Sequence, residues 1–197
     1  MTAAKKNSHS PQSPLRQPAA PGSKPIGLQA ELRQTKSFSS LHAEAFLNLV
    51  RTSALLQHAL HLKLKPYGVT ETQYNSLRIL RGAGSSGLTC AEIAERLVSQ
   101  DPDITRLVAR LQRQGLVRRQ RGEKDRRVVL TKITAAGLDR LKQADPVVDR
   151  TVNALLSHLS SSDLRTMIDL LERARQFAEP SDLNGQQLRL RDEAAPR

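Results

Sequence analysis

Arginine is the residue type this sequence concentrates. Between Arg106 and Lys132 stand ten basic residues, among them Arg110, Arg119, Arg121, Lys124, Arg126 and Arg127, against only Glu123 and Asp125. Guanidinium groups at that density are suited to gripping phosphates and base edges, not to breaking bonds. The chain of 197 residues carries a net charge of +12. Residues 1–37 hold six bases and one acid, and residues 179–197 three bases and four acids, so outside the arginine stretch the middle of the chain is balanced. Basicity focused on one segment favours a defined nucleic-acid contact.

Other chemistries lack their residues. There is no nucleophile elbow, phosphate-cradling loop or zinc-ligand spacing, and the carboxylates are scattered over helix faces, so no enzyme, cofactor or metal is expected. The single cysteine, Cys90, precludes an intrachain disulfide. It falls just inside a helix N-terminus, where a thiol pKa can drop; a small packing residue is the expectation and a redox role the alternative. The N-terminus has positive charge but no apolar run behind it, and no stretch approaches a membrane span. A soluble, cytoplasmic protein is expected.

The elements that must position the arginines are legible in spacing. From Leu41 to Leu64 apolar residues recur at helical intervals, ended by Pro66 and Gly68, in a stripe wide for one small core. Thr70 is placed to cap a second helix, which buries Tyr74, Leu77, Ile79 and Leu80 and ends among Gly82, Gly84 and Gly87. Thr89 and Glu92 stand at capping-box spacing and open a third, packed through Ile93, Ala94 and Leu97. Pro102 falls at the first position of a fourth helix that buries Ile104, Leu107, Val108 and Leu111 and stops at Gly115. Its other face is Asp103, Thr105, Arg106, Arg110 and Arg113. Two short helices joined by a brief turn have the form of a helix-turn-helix.

Residues 116–121 and 128–133 are β-like runs around the tip GEKDRR, a wing. Thr134 opens a fifth helix with apolar positions from Leu138 to Leu159, kinked or broken at Pro146. The cluster Ser160, Ser161 and Ser162 caps a sixth, with Leu164, Met167, Ile168, Leu171, Ala174 and Phe177 inside. The fold class is mainly α with a small β-wing. Residues 1–37, rich in proline, serine and lysine, read as a disordered arm, and residues 179–197 as a flexible tail.

The run PDITRLVARLQRQGLVRR, followed by DRRVVLTKITAAG, resembles the MarR family of bacterial transcription regulators over about residues 40–178. The most specific part is the wing, where that family shows an Asp-Arg-Arg group, a strand, then Leu-Thr-x-x-Gly. Here those positions are Asp125, Arg126 and Arg127, then Ile133, Thr134 and Gly137, with Ile in place of Leu. The resemblance implies a homodimer whose dimerisation helices, about 40–66 and 138–178, interdigitate. Winged helix-turn-helix lobes, about 70–137, would then grip double-stranded DNA at a pseudo-palindromic operator. A non-sequence-specific, architectural winged-helix binder is the alternative.

In that arrangement the helix from Pro102 would lie in the major groove, presenting Pro102, Asp103, Thr105 and Arg106 to base edges and phosphates. Arg106 would grip guanine, while Asp103 would either accept from cytosine N4 or cap the helix. Arg110 would reach a phosphate, and Thr89 counts as a further DNA contact. At the wing tip the family inserts an arginine into the minor groove, which assigns Arg127 or Arg126 to the groove and Asp125 to bracing. Lys124, Arg121 and Arg119 would hold phosphates. The resemblance also implies a small phenolic or lipophilic effector near Arg51, His58, Tyr67 and Tyr74, although surface or packing is the weightier expectation for each.

Overall fold

The computed structural model describes residues 27–99, 103–122 and 125–176. The predicted arm as far as residue 26, the predicted tail, Phe177, Pro102 and Lys124 lie outside the described residues. The chain forms two compact units, one ending at Leu55 and the other beginning at Leu56.

The first unit contains α1 (Leu28–Glu31) and the greater part of α2 (Leu41–Leu64). The predicted disordered arm runs to residue 37, yet α1 is a helical turn within it and Leu28 is buried. That leucine supplies an apolar anchor that the proline- and serine-rich composition around it does not advertise. Ser40 caps α2, its hydroxyl accepting from the Ala43 N–H at 3.1 Å. The α2 stripe is largely uncovered, with Leu41 78% and Phe46 64% exposed.

The second unit opens with the end of α2 and a 3-10 turn, Lys65–Tyr67, and continues through α3 (Glu71–Ala83), α4 (Cys90–Arg96) and α5 (Ile104–Arg113). Then come β1 (Val117–Arg121), β2 (Val129–Ile133), α6 (Ala135–Leu156) and α7 (Ser161–Gln176). The predicted caps form: Thr70 exchanges hydrogen bonds with Gln73, and Thr89 with Glu92, so two orphan donors at each helix start are satisfied. Leu64, Leu77, Leu80, Ile93, Val108, Leu111 and Leu141 are fully buried in one core that α3 shares with α4, α5, the sheet and α6. β1 and β2 pair antiparallel from Val117 opposite Ile133 to Arg121 opposite Val129. Before α4, Leu88 makes a single antiparallel bridge to Thr131.

Pro146 does not break α6, which is one helix from Ala135 to Leu156. A proline removes one bond of the ladder, and the flanking turns persist, with Val148 buried and Thr151 Oγ1 donating to the Val147 carbonyl at 2.7 Å. Ser160 caps α7 by accepting from the Asp163 N–H at 3.2 Å. None of the described residues expected inside α7 is buried: Leu164, Met167 and Leu171 are half-buried, and Ile168 and Ala174 are exposed. Periodicity states which residues share a face, not what covers that face.

Candidate nucleic-acid interface

The arginines sit on two elements whose backbones are held from below. Leu107, Val108 and Leu111 bury one side of α5 and thereby turn Thr105, Arg106 and Arg110 outward. The helix is fixed at both ends. At its start Asp103 is the N-cap, Oδ1 accepting from the Arg106 N–H at 2.9 Å. At its finish Gly115 takes a left-handed φ of 72°, Gly115 N–H donates to the Gln112 carbonyl at 2.9 Å and Leu116 N–H to the Leu111 carbonyl at 3.0 Å. The turn before α5 is fastened to α3, since Val98 N–H donates to Asn75 Oδ1 at 3.1 Å.

This corrects the expected start of the helix. Pro102 at the first position predicts a helix two residues longer, but the Asp103 carboxylate satisfies the third backbone donor and sets the first helical residue at Ile104. Of the two roles open to Asp103, the cap is the one formed within the chain. Its second oxygen, Oδ2, lies 3.2 Å from Arg106 Nε, so the same carboxylate orients the side chain expected to read guanine.

The wing repeats the device. Asp125 accepts from the Arg127 N–H at 2.9 Å, from Nε at 3.2 Å and from Nη2 at 3.3 Å, while the Arg127 side chain stays 92% exposed. Those hydrogen bonds, backbone first and side chain second, hold the Asp125 carboxyl below the usual carboxylate range. Arg126 is exposed beside it.

The wing's root is built by the Thr134 to Gly137 group. Thr134 donates through Oγ1 to the Gly115 carbonyl at 2.7 Å and accepts there from the Gly137 N–H at 3.1 Å. A Cβ at Gly137 would land on the Leu116 carbonyl and the Ile133 side chain, so this position admits only glycine without displacement.

Other expected contacts fall less simply. Thr89 spends its hydroxyl on its helix, accepting from Glu92 N–H at 3.2 Å and donating to Glu92 Oε2 at 2.9 Å. Arg119 Nη2 lies 3.6 Å from Cys90 Sγ, turned toward the start of α4, with Cys90 half-buried. Arg121 lines a cavity beside the wing together with Asp125, Lys132, Ser85 and Ser86. Of the residues offered for an effector, Arg51 and His58 are exposed on α2 and Tyr67 is half-buried. Tyr74 is buried, and its hydroxyl donates to Asp145 Oδ1 at 2.6 Å. Sequence reasoning missed Asn75 and Asp145, which act across 23 and 71 positions of separation and leave no local signal.

The family model for the MarR family matches residues 69–129. A MarR transcription factor from Planctomyces limnophilus is 38% identical in its crystal structure, with a TM-score of 0.54 over 69% of this chain and 98% of that one. The chain belongs to the MarR family. Among its relatives, the HTH-type transcriptional repressor YetL of Bacillus subtilis is 27% identical over 69% of this chain and 84% of its own length. CouR from Rhodococcus jostii RHA1, solved bound to p-coumaroyl-CoA, is 25% identical, with a TM-score of 0.58 over 68% of this chain and 94% of that one. This MarR chain is accordingly a DNA-binding transcriptional regulator and not an enzyme. Among the described residues no helix is long and apolar enough to cross a membrane.

Proposed function

We propose that two copies of this chain bind a pseudo-palindromic operator and regulate transcription from it. Each α5 enters the major groove, with the Arg106 amino groups on guanine O6 and N7 and with Thr105 and Arg110 on neighbouring bases and phosphate. Each wing lays Arg127 in the adjacent minor groove, where the potential is most negative, and Arg126, Arg121 and Arg119 add backbone charge. The observation that carries this reading is the pairing of two exposed arginines each with its own aspartate, Arg106 with Asp103 and Arg127 with Asp125. A side chain ordered before docking loses less rotamer freedom on binding.

The second copy accounts for apolar surface that one chain leaves open: Leu41, Phe46, Leu49 and Val50 on α2, Val152 on α6, and Ile168 and Leu170 on α7. A folded monomer persisting in sedimentation at micromolar concentration would count against it. A small lipophilic anion is the effector that fits best. A cavity of about 480 Å³ lined by Ala59, Lys63, Val147, Arg150 and Leu155 combines an apolar floor with two cations.

The deciding experiment is titration of the purified protein on DNA from upstream of its own gene, against random competitor at two salt concentrations. A preference of about a thousandfold or more for one short palindrome supports the specific regulator. Equal binding to selected and random duplexes from a randomised pool, collapsing together with salt, leaves the architectural binder.

A further inference from the structure

Asp145 on α6 receives two donors from α3. The Tyr74 hydroxyl lies 2.6 Å from Oδ1 and Arg81 Nη1 lies 2.5 Å from Oδ2. Arg78 stands over the Tyr74 ring, 5.9 Å from its centroid, and completes a grip by three α3 side chains. Tyr74 is buried, whereas Asp145 and Arg81 keep side-chain exposures of 27% and 40%. The clamp is therefore charge-assisted yet within reach of solvent.

The next residue is Pro146, in the interior of α6. Proline removes the N–H that would bond the Lys142 carbonyl and crowds that carbonyl, so the helix is weakest one residue beyond the clamp. The buried residues of α6 are Gly137, Leu141, Ala144 and Val148, and none follows Val148. Clamp and weak point thus coincide with the place where α6 leaves the core of the winged lobe.

We propose that Pro146 is a hinge in α6 and that Asp145 is its lock. While Tyr74 and Arg81 hold Asp145, the winged lobe keeps one angle on α6, and the two recognition helices of a dimer keep one separation. With the lock open, α6 bends at Pro146 and the lobe meets a half-site displaced along the DNA. Asp145 touches no base or phosphate in this scheme and is a positioning residue. The spacing role rests on the dimeric operator reading above, whereas the hinge itself does not.

The test uses the full chain as wild type, Asp145→Asn, Tyr74→Phe and the double variant Asp145→Asn with Pro146→Ala. In amide hydrogen exchange without DNA, Asp145→Asn should accelerate residues 147–150 by about tenfold, leaving α5 unchanged. Tyr74→Phe should do so to a lesser degree, and Pro146→Ala should abolish the acceleration by restoring the helical bond. On operator variants with half-sites one base pair nearer or farther, wild type should lose about tenfold and Asp145→Asn less than about threefold, with affinity for a single half-site equal in both. The double variant should regain the wild-type preference. Acceleration spread equally over α3, α5 and α6, or surviving Pro146→Ala, would overturn the hinge and leave Asp145 a contributor to stability only. A wild type indifferent to spacing would overturn the dimeric reading and the spacing role, with the exchange result still deciding the hinge.

Discussion

The Arg127 guanidinium and backbone N–H both close on the carboxylate of Asp125, two positions earlier, through three hydrogen bonds of 2.9 to 3.3 Å. The pair places an acid beside the arginine assigned to the minor groove, and two opposed effects follow. The carboxylate repels phosphate, an effect that salt screens over about 10 Å at 0.1 M. It also holds the arginine in place, an ordering advantage of about 0.5 to 1.5 kcal/mol that salt does not remove. Asp125→Ala should therefore weaken operator binding by roughly two- to tenfold at high salt, with a smaller loss at low salt. Tighter binding at every salt concentration, read by fluorescence anisotropy, would show that repulsion dominates and that bracing is unimportant.

Base reading and phosphate gripping separate by what they discriminate. Arg106→Ala should cost about 1 to 3 kcal/mol on the cognate operator and relax selectivity at one base pair of each half-site. Arg110→Ala should weaken cognate and random duplexes alike and flatten the dependence of log affinity on log salt by about one per subunit. Competition titrations on both duplexes test the division. Identical behaviour of the two variants would remove the distinction between reader and anchor.

What the sequence discloses here is what short spacing controls. Thr70 with Gln73, Thr89 with Glu92, Gly115 after α5, and Thr134 with Gly137 are signals confined to a few residues, and each forms the cap or turn its spacing implies. Asp103 shows the limit of such signals. The sequence reading starts α5 at Pro102, whereas the Asp103 carboxylate, accepting from the Arg106 N–H, sets the first helical residue at Ile104. Asp145 and Asn75 are bound to partners far along the chain, and apolar residues of α2 and α7 lie exposed outside this chain's own core. Neither relationship has a period or a local spacing to reveal it.

Two glycines on helices should respond to alanine with opposite sign. At Gly137 the added methyl would meet the Leu116 carbonyl and Ile133, so Gly137→Ala should destabilise by about 1 to 3 kcal/mol through forced displacement. At Gly82, in α3, a Cβ meets nothing within 4 Å, and Gly82→Ala should stabilise by about 0.5 to 1 kcal/mol through the unfolded chain. Urea unfolding monitored by circular dichroism reads both. A neutral Gly137→Ala would mean that the root of the wing yields to α6, and the tight junction there would lose its role in placing the strands.

Tyr74 gives an optical handle on the α3 to α6 clamp. Burial first, then the hydrogen bond to Asp145 and that residue's charge, push its phenol up from 10.0 to about 12. The neutral phenol is thus favoured in the folded state, so its stabilising contribution is complete below pH 10, declines as pH rises and is lost through about 12. The chain has two tyrosines and no tryptophan, so tyrosinate absorbance near 295 nm reports these phenols alone. Wild type should show an ionisation step near pH 12, and Tyr74→Phe should remove that step. Stability measured by urea between pH 10 and 12 should fall more steeply in wild type than in Tyr74→Phe, because only the wild-type unfolded chain releases this proton before the folded one does. A late step that persists in Tyr74→Phe would assign it to the other tyrosine and break the link between the clamp and the phenol.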